Sequence, residues 1–207
     1  MLAVNTVNTF DVQRNAILTK LREARGSDKP VLYLDEVVFT KRSLMTKTWS
    51  PRGIHFTIDQ SQVFAGFRTA IVAVSPERGV VYFESEEQAT CSERFNPFIT
   101  RLSKHMRWRP FYLFMDNLNV HKSPEVKRLY DRYRITPVYN IAACPEFNCI
   151  ESVFSKVKAH FKRRRLNALT NGRRFDLDEE VGAALGIVTP ELVQHCLKRS
   201  YYKLVNS

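Results

Sequence analysis

VLYLDEVVF, residues 31–39, is apolar on both of its alternating faces and rich in β-branched and aromatic side chains. A strand of that kind is covered on both sides, as the central strand of a layered α/β sheet is. Its one anomaly is the acidic pair Asp35-Glu36 in the middle. A carboxylate inside a two-sided apolar strand is costly unless it is paired or metal-bound, which makes Asp35 the first candidate functional residue. Alternation turns Glu36 to the opposite face, where it fits a salt-bridge or surface residue.

Upstream of this strand, Phe10, Ile17, Leu18, Leu21 and Ala24 recur at helical spacing until Gly26-Ser27-Asp28-Lys29-Pro30 breaks the pattern. Residues 1–30 are therefore expected to be an N-terminal helical segment. Downstream, Phe67–Val74 and Val80–Phe83 flank the turn-like SPERG (75–79) and read as an antiparallel hairpin. Phe95, Phe98, Ile99, Leu102 and Met106 predict a helix over 92–106, weakened near its start by Pro97.

PFYLFMD (110–116) is a second apolar strand that ends on an acid, followed by Asn117. Ser123-Pro124 is an N-cap and first-turn pair, after which Val126, Leu129, Tyr130 and Tyr133 carry a helix. ITPVYN (135–140) is a short strand that Pro137 demotes towards an edge. Past Cys144-Pro145 a third helix has the stripe Ile150, Val153, Phe154, Val157 and Phe161. From Leu166 the chain is polar until Thr189-Pro190-Glu191 opens a last helix, giving a C-terminal helical appendage over 166–207.

Three strands in a meander followed by alternating helix and strand is the element order of a ribonuclease H-like fold. That fold is α/β, with a mixed five-stranded sheet and helices on both faces. The expected domain runs from 31 to 165.

The chain of 207 residues has a formal charge of +11 and is 44% hydrophobic. That is one domain with a real core, and its charge suits a polyanion, nucleic acid foremost; a solvated basic surface without a ligand is the plain alternative. No apolar run approaches the roughly 20 residues that span a bilayer, so no membrane partner is expected. The start MLAVNTVNTFDVQRN has no basic stretch followed by an apolar block, which argues against a secretory signal. Cys91, Cys144, Cys149 and Cys196 form no Cys-x-x-Cys pair, so they read as ordinary thiols in a reducing compartment.

Three carboxylates stand where elements end or begin: Asp35, Asp116 and Glu151, the last in the first turn of the third helix. A right-handed crossover would set the strands of Asp35 and Asp116 side by side, with Glu151 packed over them. Clustered carboxylates repel and need a cation. Mg²⁺ fits, with Mn²⁺ as a substitute, because these ions prefer carboxylate and water oxygens. Two such ions, roughly 4 Å apart, clamp the attacking and leaving oxygens of an in-line phosphoryl displacement, so phosphodiester hydrolysis or transesterification is the expected chemistry. Two of the acids and the nearby histidine also have plainer readings, whereas Asp35 is harder to dismiss. Asn148-x-x-Glu151 resembles a capping box, Asp116-Asn117 resembles a turn, and His121 a structural histidine.

LYLDEVVF, FMDNLNVHKSPE and PEFNCIESVFSKVK together resemble the catalytic domain of mariner-type DDE transposases, the superfamily that includes many bacterial insertion-sequence enzymes. The family motifs match Asp35-Glu36, Asp116-Asn117 with His121 five positions after the Asp, and Asn148-Cys149-Ile150-Glu151. Thirty-four residues separate Asp116 from Glu151, a spacing characteristic of one large branch of the superfamily. Trp49-Ser50-Pro51-Arg52-Gly53 resembles the family's short turn segment after its first strand. Cys149 stands where the family has proline, a replacement that loses a fixed φ but no chemistry.

The resemblance spans about residues 10–165. It implies that Asp35, Asp116 and Glu151 are catalytic and hold the metal, with Asn117, His121 and Asn148 as secondary active-site residues. It implies DNA cleavage and joining of the 3′-hydroxyl to a target TA dinucleotide, with transposon ends and target DNA as partners and a homodimer as the working form. The family's helix-turn-helix modules are not represented in the roughly thirty residues before the first strand, which leaves end recognition to another chain, to a missing segment, or to none. The alternatives are a domesticated transposase-derived DNA-binding or DNA-elimination protein, or another ribonuclease H-like nuclease such as a Holliday-junction resolvase. Localisation would be the nucleus in a eukaryote and the cytoplasm or nucleoid in a bacterium.

At 100° per residue, Ser155, Lys158 and Lys162 lie within about 40° of Glu151 on the third helix, so phosphates reaching the acids would meet two ammonium groups. Lys156 and Arg163 point elsewhere. Lys162, Arg163, Arg164 and Arg165 complete the expected DNA-binding set with Lys158; the run also reads as a nuclear-localisation-type cluster or a solvated helix end.

Overall fold

The structure is a computed structural model and describes residues 9–40, 66–89 and 91–206. At its centre β1 (Val31–Thr40) is the middle strand of a five-stranded sheet. β1 runs antiparallel to β2 (Phe67–Ser75), which pairs in turn with β3 (Gly79–Glu86), so the hairpin forms one half of the sheet. On the other side it runs parallel to β4 (Phe111–Met115), and β5 (Ile135–Tyr139) closes that edge, also parallel. The order is β3-β2-β1-β4-β5. Pro137 does sit on the edge strand, where its missing N–H interrupts no second ladder.

The alternation of β1 sorts the two faces. Tyr33, Val37 and Phe39 join one core cluster with α1 (Thr9–Arg25), α4 (Cys149–Thr170), α5 (Leu177–Leu185) and α6 (Pro190–Asn206). Leu32 and Leu34 join the other, with α2 (Ser92–His105) and α3 (Pro124–Tyr133). The sheet is therefore mixed and covered on both faces, the architecture of the ribonuclease H-like fold. By parity Asp35 shares the face of α4 and Glu36 that of α2 and α3.

Local chemistry explains the helix starts. The Ser123 side chain accepts the Val126 N–H at 3.3 Å and Pro124 takes the first helical position, as expected for α3. α2 continues through Pro97, with Cys91 at its N-cap position.

The expected division at 165/166 falls inside α4, which runs on to Thr170. Beyond it, Phe175, Leu177, Val181, Leu185, Val193 and Leu204 are buried in the same cluster as Tyr33 and Phe154, so these residues complete the core of the sheet's α4 face. α5 lies in the stretch that reads as polar. Its signal was Asp176, whose carboxylate accepts the Asp178 and Glu179 N–H groups, ahead of the helically spaced Leu177, Val181 and Leu185. The segment Trp49–Gly53 lies outside the described residues. Among the described residues no helix is long and apolar enough to cross a membrane.

Candidate active site

The parallel pairing of β1 with β4 does the first work. Tyr33 is in register with Phe114, and two residues further along each strand come Asp35 and Asp116. Glu151 arrives from α4, which packs over β1 on the face that Asp35 occupies. All three line one cleft of about 290 Å³, together with Asn117 and Asn148.

Asp35 is the most perturbed of the three. Burial pushes its carboxyl up from 3.8 to about 8; the Glu36 N–H donated to it opposes this, while Glu151, Glu36 and Asp116 nearby reinforce it. That N–H lies 2.8 Å from Asp35 Oδ1. A carboxyl whose charge is disfavoured by burial first and by neighbouring acids second is in the situation a cation relieves.

Asp116 is held from the opposite face. Its Oδ1 lies 2.7 Å from Nδ1 of His121, whose Nε2 is 3.5 Å from Oε1 of Glu36. These contacts are charge pairing rather than well-aligned hydrogen bonds. His121 is fully buried, its ring 4.4 Å from that of Phe95, and its carbonyl accepts the hydroxyls of Tyr130 and Tyr139. Burial by itself would lower its pKa, but the contacts and charges of Asp116 and Glu36 outweigh that and push it up to about 9. Glu36 is thus a salt-bridge residue, as its strand parity suggested, and no local pattern points to His121 as its partner.

Asn148 sets the start of α4. Its Oδ1 accepts the Ile150 N–H at 3.3 Å, and its Nδ2 donates to the Leu34 carbonyl at 3.4 Å, which ties the helix to β1 one residue before Asp35. The returning half of a capping box is absent: the Asn148 N–H goes to the Pro145 carbonyl, and Glu151 stays exposed at the cleft. The opposite wall is shaped by Asn140, whose side chain donates to the Cys144 carbonyl at 2.7 Å and accepts the Ile141 N–H at 2.9 Å. Nothing in the sequence singled out Asn140; it lies at the end of β5, and only the loop fold brings it to the cleft.

The donor set suits a hard divalent cation: carboxylate and amide oxygens without a thiolate cage. Asn117 Oδ1 is buried and unpartnered among the described residues, an acceptor facing the same chemistry. Among the described residues no three His, Cys, Asp or Glu side chains close into a ready-made cage. The acids share a cleft without forming a tight cluster.

The basic run of α4 divides in two. Lys158 is exposed and Lys162 partly so, on the flank of Glu151, and Arg163 is exposed. Arg164 instead pairs with Glu180 of α5. Arg165 is buried with its guanidinium 4.7 Å from the Phe175 ring centroid. Both belong to the expected DNA-binding set; Arg164 is held by α5 and remains partly exposed, whereas Arg165 is buried against Phe175, just ahead of α5, and is not available to a phosphate.

Comparison with solved structures gives the same fold at low identity. The Mos1 strand transfer complex matches with TM-score 0.64 and 16% identity, covering 99% of this chain and 62% of that one. The mariner Mos1 paired-end complex with Mg matches at 0.61 and 15%, covering 100% and 64%. The catalytic domain of Mos1 mariner transposase matches at 0.53 and 13%, covering 96% of each chain. This chain thus spans about three fifths of the longer Mos1 chains and nearly all of the catalytic domain. A comparison with curated protein sequences gives no match. A family model, the DDE superfamily endonuclease, matches residues 30–171, which takes in every element that brings Asp35, Asp116 and Glu151 to the cleft. The chain belongs to the DDE superfamily endonucleases.

Proposed function

We propose that this chain is a DDE transposase catalytic domain that cleaves DNA strands and transfers the 3′-end to target DNA. The observation that carries the reading is the convergence of Asp35, Asp116 and Glu151 on one cleft, with the Asp35 carboxyl raised by its burial and its acidic neighbours. These three would hold divalent metal, two Mg²⁺ with Mn²⁺ as a substitute; the Mos1 structures with Mg and with Mn support the class of ion. Such ions supply an activated nucleophile and stabilise the leaving oxygen.

The chain's own residues do the rest. Glu36 and His121 brace Asp116 from behind the sheet, and Asn148 fixes the first turn of α4 so that Glu151 projects beside Asp35. Lys158 and Lys162 meet the phosphates that approach along α4. Transposon ends, target DNA and a homodimeric assembly are part of the same reading; the Mos1 paired-end and strand transfer complexes support DNA as the partner.

The test is cleavage and strand transfer on DNA carrying the element's ends, with Mg²⁺ or Mn²⁺ and with Asp116→Asn as control. Metal-dependent cleavage lost in a folded Asp116→Asn protein supports the reading; undiminished cleavage refutes it. Cleavage of four-way junctions in preference to element ends would instead favour a resolvase.

A further inference from the structure

The sheet end remote from the cleft has a basic character that the catalytic reading does not use. β4 is five residues long, so about 17 Å of strand separates its start from Asp116 at its far end. At that start a groove of about 830 Å³ lies between the turn before β1, the β2–β3 hairpin and the loop after α2. Lys29, Arg78, His105, Arg107 and Arg109 line it, against the single acid Asp28. None of these five basic residues has a salt bridge among the described residues, whereas Arg68, Arg94, Arg101 and Arg164 elsewhere all do. Like charges gathered with Asp28 as the one acid lining the groove repel one another and create a positive potential that attracts a polyanion.

Backbone hydrogen bonds hold the loop that presents Arg107 and Arg109. Trp108 N–H donates to the Ser103 carbonyl and Arg107 N–H to the Lys104 carbonyl, both at 2.9 Å, the pair of bonds that ends a helix in a Schellman motif. Glycine is the usual residue at the left-handed position of that motif; here Arg107 and Trp108 occupy left-handed conformations in succession, at φ 55° and 59°. Backbone strain of this kind persists only where the surroundings enforce it, and it clusters at functional positions. The result is an indole that is 46% exposed between two arginines. Its ring centroid is 5.2 Å from that of Tyr133, and Arg134 donates to its carbonyl. The platform is thus fixed from behind and open in front.

The geometry points to a second nucleic-acid site here, separate from the cleft, in which Lys29, Arg78, Arg107 and Arg109 hold the phosphates of a single strand in the groove and Trp108, outside the groove's lining but between Arg107 and Arg109 in the chain, stacks on one of its bases. A flat aromatic flanked by fixed cations is the arrangement that binds unpaired strands without sequence preference. Duplex DNA offers this groove phosphates but no free base face. The inference stands apart from the proposed function, because a strand can bind here whether or not the cleft cuts.

The experiment uses the full chain carrying Asp116→Asn, in chelator, and a fluorescein-labelled thymidine strand of about twelve nucleotides followed by anisotropy. Arg107→Glu with Arg109→Glu should weaken binding about ten-fold or more and reduce the salt slope by about 1.4, at roughly 0.7 per lost phosphate contact. Trp108→Ala should weaken it between roughly five- and a hundred-fold, with Trp108→Phe retaining most of the affinity. Lys127→Glu with Arg128→Glu, the same charge change on the exposed face of α3, should have little effect. Equal losses from the two charge reversals, or full affinity in a folded Trp108→Ala protein, would overturn the inference. So would a duplex of the same length bound as tightly through Trp108. Metal-dependent cleavage by the chain with Asp116 intact is scored separately, so failure of the groove and failure of the catalytic reading give different results.

Discussion

Replacing Asp35 with asparagine is expected to make the protein more stable in chelator while removing its chemistry. In the folded protein the Asp35 carboxyl titrates near 8 instead of 3.8. The folded state therefore holds this proton more tightly than the unfolded chain does, so its contribution to stability is complete below about pH 4 and is lost as pH rises towards 8. At about 1.4 kcal/mol per pH unit, forcing Asp35 alone to ionise would cost about 6 kcal/mol. The cleft opens to solvent and the neighbouring carboxylates share the strain, so about 2–3 kcal/mol is the expected gain from Asp35→Asn at pH 8.5. The hydrogen bond from the Glu36 N–H survives, because an amide oxygen accepts it equally well.

The assay is thermal unfolding followed by circular dichroism, in chelator, at pH 5, 7 and 8.5. A chain of this size should gain about 5–10 °C at the highest pH and almost nothing at the lowest. Adding Mg²⁺ or Mn²⁺ should then stabilise the parent protein and leave Asp35→Asn little changed, since only the parent retains that ligand. Identical pH dependence in the two proteins, or an Asp35→Asn protein less stable than the parent at pH 8.5, would refute the reasoning about the cleft.

Five further outcomes are expected. Glu151→Gln should abolish cleavage while shifting stability by no more than about 0.5 kcal/mol, because Glu151 takes no part in capping α4; a larger loss in chemical denaturation would restore its role as a cap. Asn148→Ala removes both the cap and the tie to Leu34, and should cost about 1–2 kcal/mol in the same measurement. His121→Phe strips the cation from between Glu36 and Asp116 and should cost about 3 kcal/mol or more at pH 6. The pKa of His121 is raised, so its stabilising effect is present below pH 6.5 and fades as pH passes about 9, and the penalty of the variant should shrink over that range. Lys158→Glu with Lys162→Glu should weaken DNA binding and flatten its salt dependence without altering stability, whereas Arg165→Ala should act on stability, by about 1–3 kcal/mol, through lost packing on Phe175.

Much of the chain's organisation was open to reading because it rests on local rules. The double-sided apolar run 31–39, the Ser123-Pro124 helix start and the edge-strand proline are each decided by a few neighbouring residues, and each lies where those rules place it. The acids Asp35, Asp116 and Glu151 stood out because a charge at the end or in the middle of an apolar element needs a reason. That Asp35 and Glu36 divide between two faces followed from strand alternation alone.

What pairs across the sheet was not legible. Glu36 and His121 are far apart in sequence, and their meeting depends on β1 lying beside β4, so that the loop after β4 folds back over the α2 face of the sheet. The basic run of α4 was legible as charge but not as two halves. Helical periodicity gives each residue its angle and says nothing of which neighbour packs there; Glu180 of α5 pairs with Arg164 and Phe175 covers Arg165, while Lys158 and Lys162 stay open to a phosphate. The order of elements up to α4, the acids and the excess of positive charge follow from composition and local periodicity, whereas α5 does not. Tertiary structure alone decided which charges are neutralised, since that depends on contacts between residues distant in the chain.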